Sequence, residues 1–107
     1  DLWTRWQPNL GLGLHRLQLS IASRGVQLLA VGGRLVYSTC SLNPVEDEAG
    51  VAELLRRCGG ALELLDVGGM LPGLLRQPGL ASWRVMDKQG RWYASLADVP
   101  ADAQRNM

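Results

Sequence analysis

Gly32-Gly33-Arg34-Leu35-Val36-Tyr37-Ser38-Thr39-Cys40-Ser41-Leu42-Asn43-Pro44-Val45-Glu46-Asp47-Glu48 is the stretch that decides the fold. Its first half, Arg34 to Thr39, is β-prone and lacks polar alternation, the mark of a strand covered on both faces in a parallel sheet. Its second half supplies a capping side chain at Asn43, a proline suited to the first helical position at Pro44 and an acid at Glu46. A helix is therefore expected to begin there. Between the two halves stands Cys40, where a strand gives way to a helix, the place where α/β enzymes keep their sites.

Working outward, Leu10, Leu14, Leu17, Ile21 and Leu28 recur at helical spacing with Arg16, Ser20, Arg24 and Gln27 between them. This predicts an amphipathic helix ending at Gly32-Gly33. Gly11 and Gly13 weaken its first turn, so the helix is placed from Leu14, with an earlier start at Asn9 or Gln7-Pro8 as the alternative. Downstream, the helix that Asn43 caps closes at Gly59-Gly60. Glu46, Asp47 and Glu48 in its first turn and Arg56 and Arg57 in its last both complement the helix dipole. Leu62 to Val67 reads as a second strand. Helix, strand, helix, strand implies a right-handed parallel crossover of the α/β class.

Beyond Gly68-Gly69 the character changes. Pro72, Gly73, Pro78 and Gly79 punctuate a loop, and Trp83 to Met86 and Arg91 to Ala94 flank Asp87-Lys88-Gln89-Gly90 as a hairpin with its tryptophans packed inward. Residues 97–107 show no periodicity and are expected to form no element. The organisation is thus a helix–strand–helix–strand unit over 1–67, a loop and inserted β-hairpin over 68–96, and an irregular tail over 97–107.

With 107 residues, 47% of them hydrophobic, the chain can hold one domain's core. A net charge of +1 with scattered acids and bases gives no concentrated basic field, so any nucleic-acid contact is local. Nothing in it reads as a leader peptide or a membrane span, and no membrane partner is expected. Two cysteines without CxxC spacing suit a reducing, intracellular compartment, and a single histidine builds no metal site.

The chemistry centres on Cys40. A thiol just ahead of a helix N-terminus gains thiolate character from the dipole, while nearby acids oppose it. Against this stands the common fate of a free cysteine, burial as a small hydrophobe. Cys58, near a helix end, reads as structural, and Glu46-Asp47-Glu48 as dipole partners and solvated charge. Arg84, Lys88 and Arg91 beside Trp83, Trp92 and Tyr93 could serve as a stacking and phosphate-contacting patch, with inward packing as the plainer reading. His15 lies one position from an apolar stripe and reads as a surface or satisfied histidine. The glycine pairs are turns, without the spacing of a phosphate loop.

Tyr37-Ser38-Thr39-Cys40-Ser41, then Asn43-Pro44, then Glu46-Asp47-Glu48 resembles the sixth conserved motif of the Sun-type RNA cytosine-5 methyltransferases. Asp1 to Trp6 is similar to the segment that follows that family's Pro-Cys loop, and Gly60 to Leu64 to its next strand. Leu71-Pro72-Gly73-Leu74, Pro78-Gly79, Trp83 to Met86 and Gly90 to Tyr93 are most similar to the eukaryotic branch that modifies transfer RNA. Arg105-Asn106-Met107 resembles the opening of an Arg-x-Met-Phe-Pro segment.

The resemblance implies part of a Rossmann-like methyltransferase fold, the C-terminal half of its sheet, with Cys40 as the nucleophile that adds to carbon 6 of a cytosine. It implies S-adenosyl-L-methionine as methyl donor, bound mainly by a glycine-rich strand-turn and acids that this sequence lacks, as it also lacks the Pro-Cys loop. RNA, and tRNA in particular, is the implied partner of a monomeric nuclear enzyme, and the 107 residues alone are expected to be inactive. The alternatives are a non-catalytic RNA-binding or regulatory remnant of such an enzyme and an unrelated thiol enzyme, for which His15 is poorly placed.

Overall fold

The computed structural model describes residues 10–87 and 89–104. Helix α1 spans Leu10–Gln27 and helix α2 Glu48–Cys58. Strands β1 (Val85–Met86) and β2 (Trp92–Tyr93) pair antiparallel, Val85 opposite Tyr93 and Met86 opposite Trp92. A 3-10 turn at Leu96–Asp98 and a short helix α3 at Ala101–Gln104 follow.

The core lies where α1 crosses α2. Leu19 and Ala22 of α1 and Leu54 of α2 are buried, with Val26, Tyr37 and Leu62 packed alongside. Leu19, Ala22 and Val26 follow one another by three and four residues, so they share one face of α1. Burying a leucine of this kind contributes about 1.5–3 kcal/mol. The stripe singled out in the sequence is a different one. Leu14, Leu17, Ile21 (64% exposed) and Leu28 point away from this core. Periodicity marks apolar faces, and α1 has two, of which α2 covers only one.

The helix bounds match expectation only in part. Among the described residues α1 covers Leu10–Gln27, so it starts ahead of Leu14, in line with the earlier start held as the alternative, and stops short of Gly32-Gly33. Leu29 N–H turns to the Val26 carbonyl at 3.0 Å, tightening the last turn, and Gly32 (φ 80°) makes a separate turn closed by Gly33 N–H on the Ala30 carbonyl at 2.8 Å. α2 begins at Glu48 and not at Pro44. Asn43 Oδ1 does accept the Val45 N–H at 3.1 Å, but the residues it caps, 44–47, form a turn of their own. The close at Gly59 is as expected, with the glycine in the left-handed region (φ 55°) and its N–H on the Arg56 carbonyl.

The two expected parallel strands are not formed. Among the described residues the only sheet is the β1–β2 hairpin, and segments 34–39 and 62–67 run without a ladder partner. A strand needs the N–H and C=O groups of a neighbour, and these two segments do not supply each other's. Val36, expected to be covered on both faces of a sheet, is 88% exposed. The chain accordingly exposes 8620 Å², against about 5,900 Å² for a compact monomer of its mass.

The hairpin forms where expected, but it turns Trp92 outward, 56% exposed, while Val85 is buried. Side chains alternate across a strand, so Val85 and its partner Tyr93 face inward and Trp92 falls on the other side. Residues 97–104 are also not irregular. Ser95 N–H and Oγ–H both donate to the Asp98 carboxylate, at 3.0 and 2.8 Å, starting the 3-10 turn. Gln104 Nε2 returns to the carbonyls of Leu96 and Val99. Residues 1–6, Asn9, Lys88 and 105–107, on which several sequence readings fall, lie outside the described residues.

Candidate active site

Cys40 is exposed, at a bend in the irregular segment between Tyr37 and the 44–47 turn. Its two neighbours are fixed by side-chain contacts to that turn. The Thr39 hydroxyl donates to the Asp47 carboxylate and accepts the Ser41 N–H at 3.1 Å. The Ser41 hydroxyl donates to Glu46 Oε2 at 2.7 Å and accepts the Asn43 N–H at 3.0 Å. Asn43-Pro44 reverses the chain, which is what brings acids five and eight residues downstream onto these hydroxyls.

The same turn is held from two further directions. From the segment before Cys40, the Tyr37 hydroxyl donates to the Glu46 carbonyl at 2.5 Å. Partial burial, with the negative charges of Asp47 and Glu46 adding to it, pushes that phenol above its ordinary value. From α1, His15 Nδ1 donates to the Val45 carbonyl at 2.8 Å, and Gln18 Nε2 donates to Glu46 Oε1 at 3.0 Å. His15 is thus a satisfied histidine, as its spacing suggested.

Sequence reasoning missed the use of the acids. Glu46 and Asp47 precede α2 and bind the residues flanking Cys40, while Glu48 Oε1 accepts the Leu80 N–H at 3.1 Å and so ties the helix start to the loop before the hairpin. The usable signal was hydroxyls on both sides of a cysteine followed, past an Asn-Pro reversal, by a run of acids. Cys58 sits half-buried at the end of α2. In the hairpin, the Arg84 guanidinium lies 5.3 Å from the Trp92 ring centroid, a cation–π contact. Arg91 and Tyr93 are instead engaged by Asp87.

A cleft of about 800 Å³ opens between α1, α2 and the hairpin, on residues that do not include Cys40. Arg16, Arg56 and Arg57 line it, and its one acid among the described residues, Glu53, is bound by both Arg56 and Arg57 at 2.6–2.9 Å. Those hydrogen bonds, Arg56's first, hold the Glu53 carboxyl at about 2, against the opposing effect of burial. A sulfonium donor with a ribose diol calls for a free carboxylate, and Glu53 is already taken up by Arg56 and Arg57, so these residues do not fit S-adenosyl-L-methionine.

Residues 2–69 match the family described as 16S rRNA methyltransferase RsmB/F. The chain is 53% identical over 102 residues to the multisite-specific tRNA:(cytosine-C(5))-methyltransferase trm4b of Schizosaccharomyces pombe, which takes in 95% of this chain and 15% of that protein. It is 51% identical over 88 residues to the multisite-specific tRNA:(cytosine-C(5))-methyltransferase of Saccharomyces cerevisiae, covering 82% of this chain and 13% of that one. It is 46% identical over 101 residues to the tRNA (cytosine(34)-C(5))-methyltransferase of Drosophila melanogaster, covering 94% and 14%. No solved structure matches. The chain therefore spans 13–15% of the length of these curated relatives. Because the family match runs through the Cys40 segment and over more than half of the sequence, the chain belongs to the RsmB/F methyltransferase family.

Proposed function

We propose that the full-length protein carrying this segment methylates carbon 5 of cytosine in RNA, tRNA being the substrate class, with S-adenosyl-L-methionine as methyl donor and Cys40 as nucleophile. The observation that carries the reading is an exposed thiol whose two flanking hydroxyls are fixed to one turn. The substrate class follows the three eukaryotic relatives, which are tRNA cytosine-C(5)-methyltransferases.

Cytosine carbon 5 is a poor nucleophile. Addition of the Cys40 thiolate to carbon 6 forms an S–C6 bond and moves ring electrons onto carbon 5, splitting one hard step into easier ones. Once carbon 5 carries the methyl group, loss of its proton expels the sulfur and restores the ring. The base must leave its stack, at about a few kcal/mol from a duplex and less from a loop, which favours structured RNA with accessible cytosines. An exposed cysteine at a bend suits a substrate that is presented to it from outside.

The test is trapping with tRNA carrying 5-azacytosine, using the full-length protein and S-adenosyl-L-methionine. The wild-type and Cys58→Ala proteins are expected to form a covalent adduct, and Cys40→Ala none. An undiminished adduct with Cys40→Ala would overturn the assignment.

A further inference from the structure

Glu46 stands at the junction of three segments. One carboxylate oxygen accepts the hydroxyl of Ser41, next to Cys40, and the other accepts the side-chain amide of Gln18 from the middle of α1. The backbone carbonyl of the same residue takes the Tyr37 hydroxyl. Asp47 has a simpler role, binding Thr39 on the other side of the cysteine. Gln18 is therefore the only one of these groups that belongs to a regular helix packed in the core, since its neighbour Leu19 is 5% exposed and touches the α2 core.

A further detail marks this contact as directional. Gln18 Oε1 is buried and has no hydrogen-bond partner among the described residues, because the amide must turn its nitrogen to the carboxylate. Leaving such an oxygen unpaired is unfavourable. If packing alone required an amide here, nothing would fix which end faces Glu46.

We infer that Gln18 and Glu46 are positioning residues for Cys40: α1 sets the place of the sulfur through the chain Gln18, Glu46, Ser41. This rests on Cys40 being the nucleophile. The chain makes a reciprocal prediction. A carboxylate at position 18 facing the carboxylate of Glu46 repels it and frees Ser41. An amide at position 46 can still accept from Ser41 through its oxygen, and its NH₂ group can donate to a carboxylate at position 18. Exchanging the two residues therefore restores the chain that the single change breaks.

The experiment compares full-length wild type, Gln18→Glu and the double exchange Gln18→Glu with Glu46→Gln, reading kcat and KM for tRNA and the rate of adduct formation with 5-azacytosine tRNA. Gln18→Glu is expected to lower kcat and the adduct rate by about tenfold or more, with KM for tRNA nearly unchanged, because displacing a reacting atom affects the chemical step more than binding. The double exchange is expected to recover both rates. A single variant with wild-type kcat, or a folded double variant as slow as the single, would overturn the inference. Should Gln18→Glu fail to fold, the double exchange decides alone: recovery supports the chain, a folded but slow protein defeats it. Cys40→Ala separates the two levels. If it still forms the adduct, the nucleophile reading fails; if it forms none while Gln18→Glu reacts normally, only the positioning inference fails.

Discussion

The Tyr37 hydroxyl is clamped between the Glu46 carbonyl, to which it donates at 2.5 Å, and the bare Cα of Gly50 in the first turns of α2. A methyl group built on Gly50 would stand 3.0 Å from the Tyr37 oxygen but 3.6 Å from the ring carbon that bears it. The hydroxyl, and not the ring, is therefore what crowds a side chain at position 50.

That geometry predicts a change of sign. With Tyr37 present, Gly50→Ala pushes the hydroxyl off Glu46 and loses a hydrogen bond worth about 0.5–1.5 kcal/mol, which offsets or exceeds the gain in helix propensity. In a Tyr37→Phe background the obstacle is gone, and the same change is expected to stabilise the full-length protein by up to about 1 kcal/mol. Denaturant unfolding of the four proteins of this cycle is the check. Equal effects of Gly50→Ala in both backgrounds would mean that the hydroxyl does not constrain the helix.

The parts legible in the sequence are those whose causes are local. α1 follows from apolar spacing, α2 from end charges that complement its dipole and from the stop at the left-handed Gly59, and the hairpin from a turn sequence between β-prone runs. Segments 34–39 and 62–67 read as strands because their composition suits a sheet, yet a ladder depends on neighbours that composition does not name. At the candidate site, Cys40 stands out by its position before Asn43-Pro44. The duties of Glu46 and Asp47 were hidden because they depend on how far the 44–47 turn folds the chain back, and the contact from Gln18 depends on how α1 lies beside it.

Asp87 is fully buried and ionised, and it organises the hairpin rather than merely starting its turn. Its carboxylate accepts the N–H groups of Gln89 and Arg91, both at 2.9 Å, the Arg91 guanidinium at 2.7 Å and the Tyr93 hydroxyl at 3.0 Å. Burial opposes ionisation, but the hydrogen bonds from Arg91 and Tyr93 prevail and hold the carboxyl below its usual value. Asp87→Asn keeps the shape but turns an NH₂ group toward the Arg91 and Tyr93 donors. The expected result is faster hydrogen exchange at the Gln89 and Arg91 amides and earlier proteolysis within the hairpin, with α1 and α2 protected as before. Unchanged exchange at those two amides would contradict this role for the carboxylate.

Glu53 sets an acid limit on α2. Its carboxyl, held mainly by the Arg56 hydrogen bonds and then by Arg57, sits at about 2 where an ordinary glutamate has 4.5. A folded value below the unfolded one means that the contribution to stability is complete above about 4.5 and is lost as pH falls toward about 2. Both guanidinium groups face solvent, so the contribution is small and screened by salt. Glu53→Gln is therefore expected to be less stable than wild type at neutral pH, with the difference shrinking through that acid window and also narrowing in high salt. Unfolding curves for the two proteins that run parallel from neutral pH to pH 3 would show that the Arg56 and Arg57 contacts do not stabilise the last turn of α2.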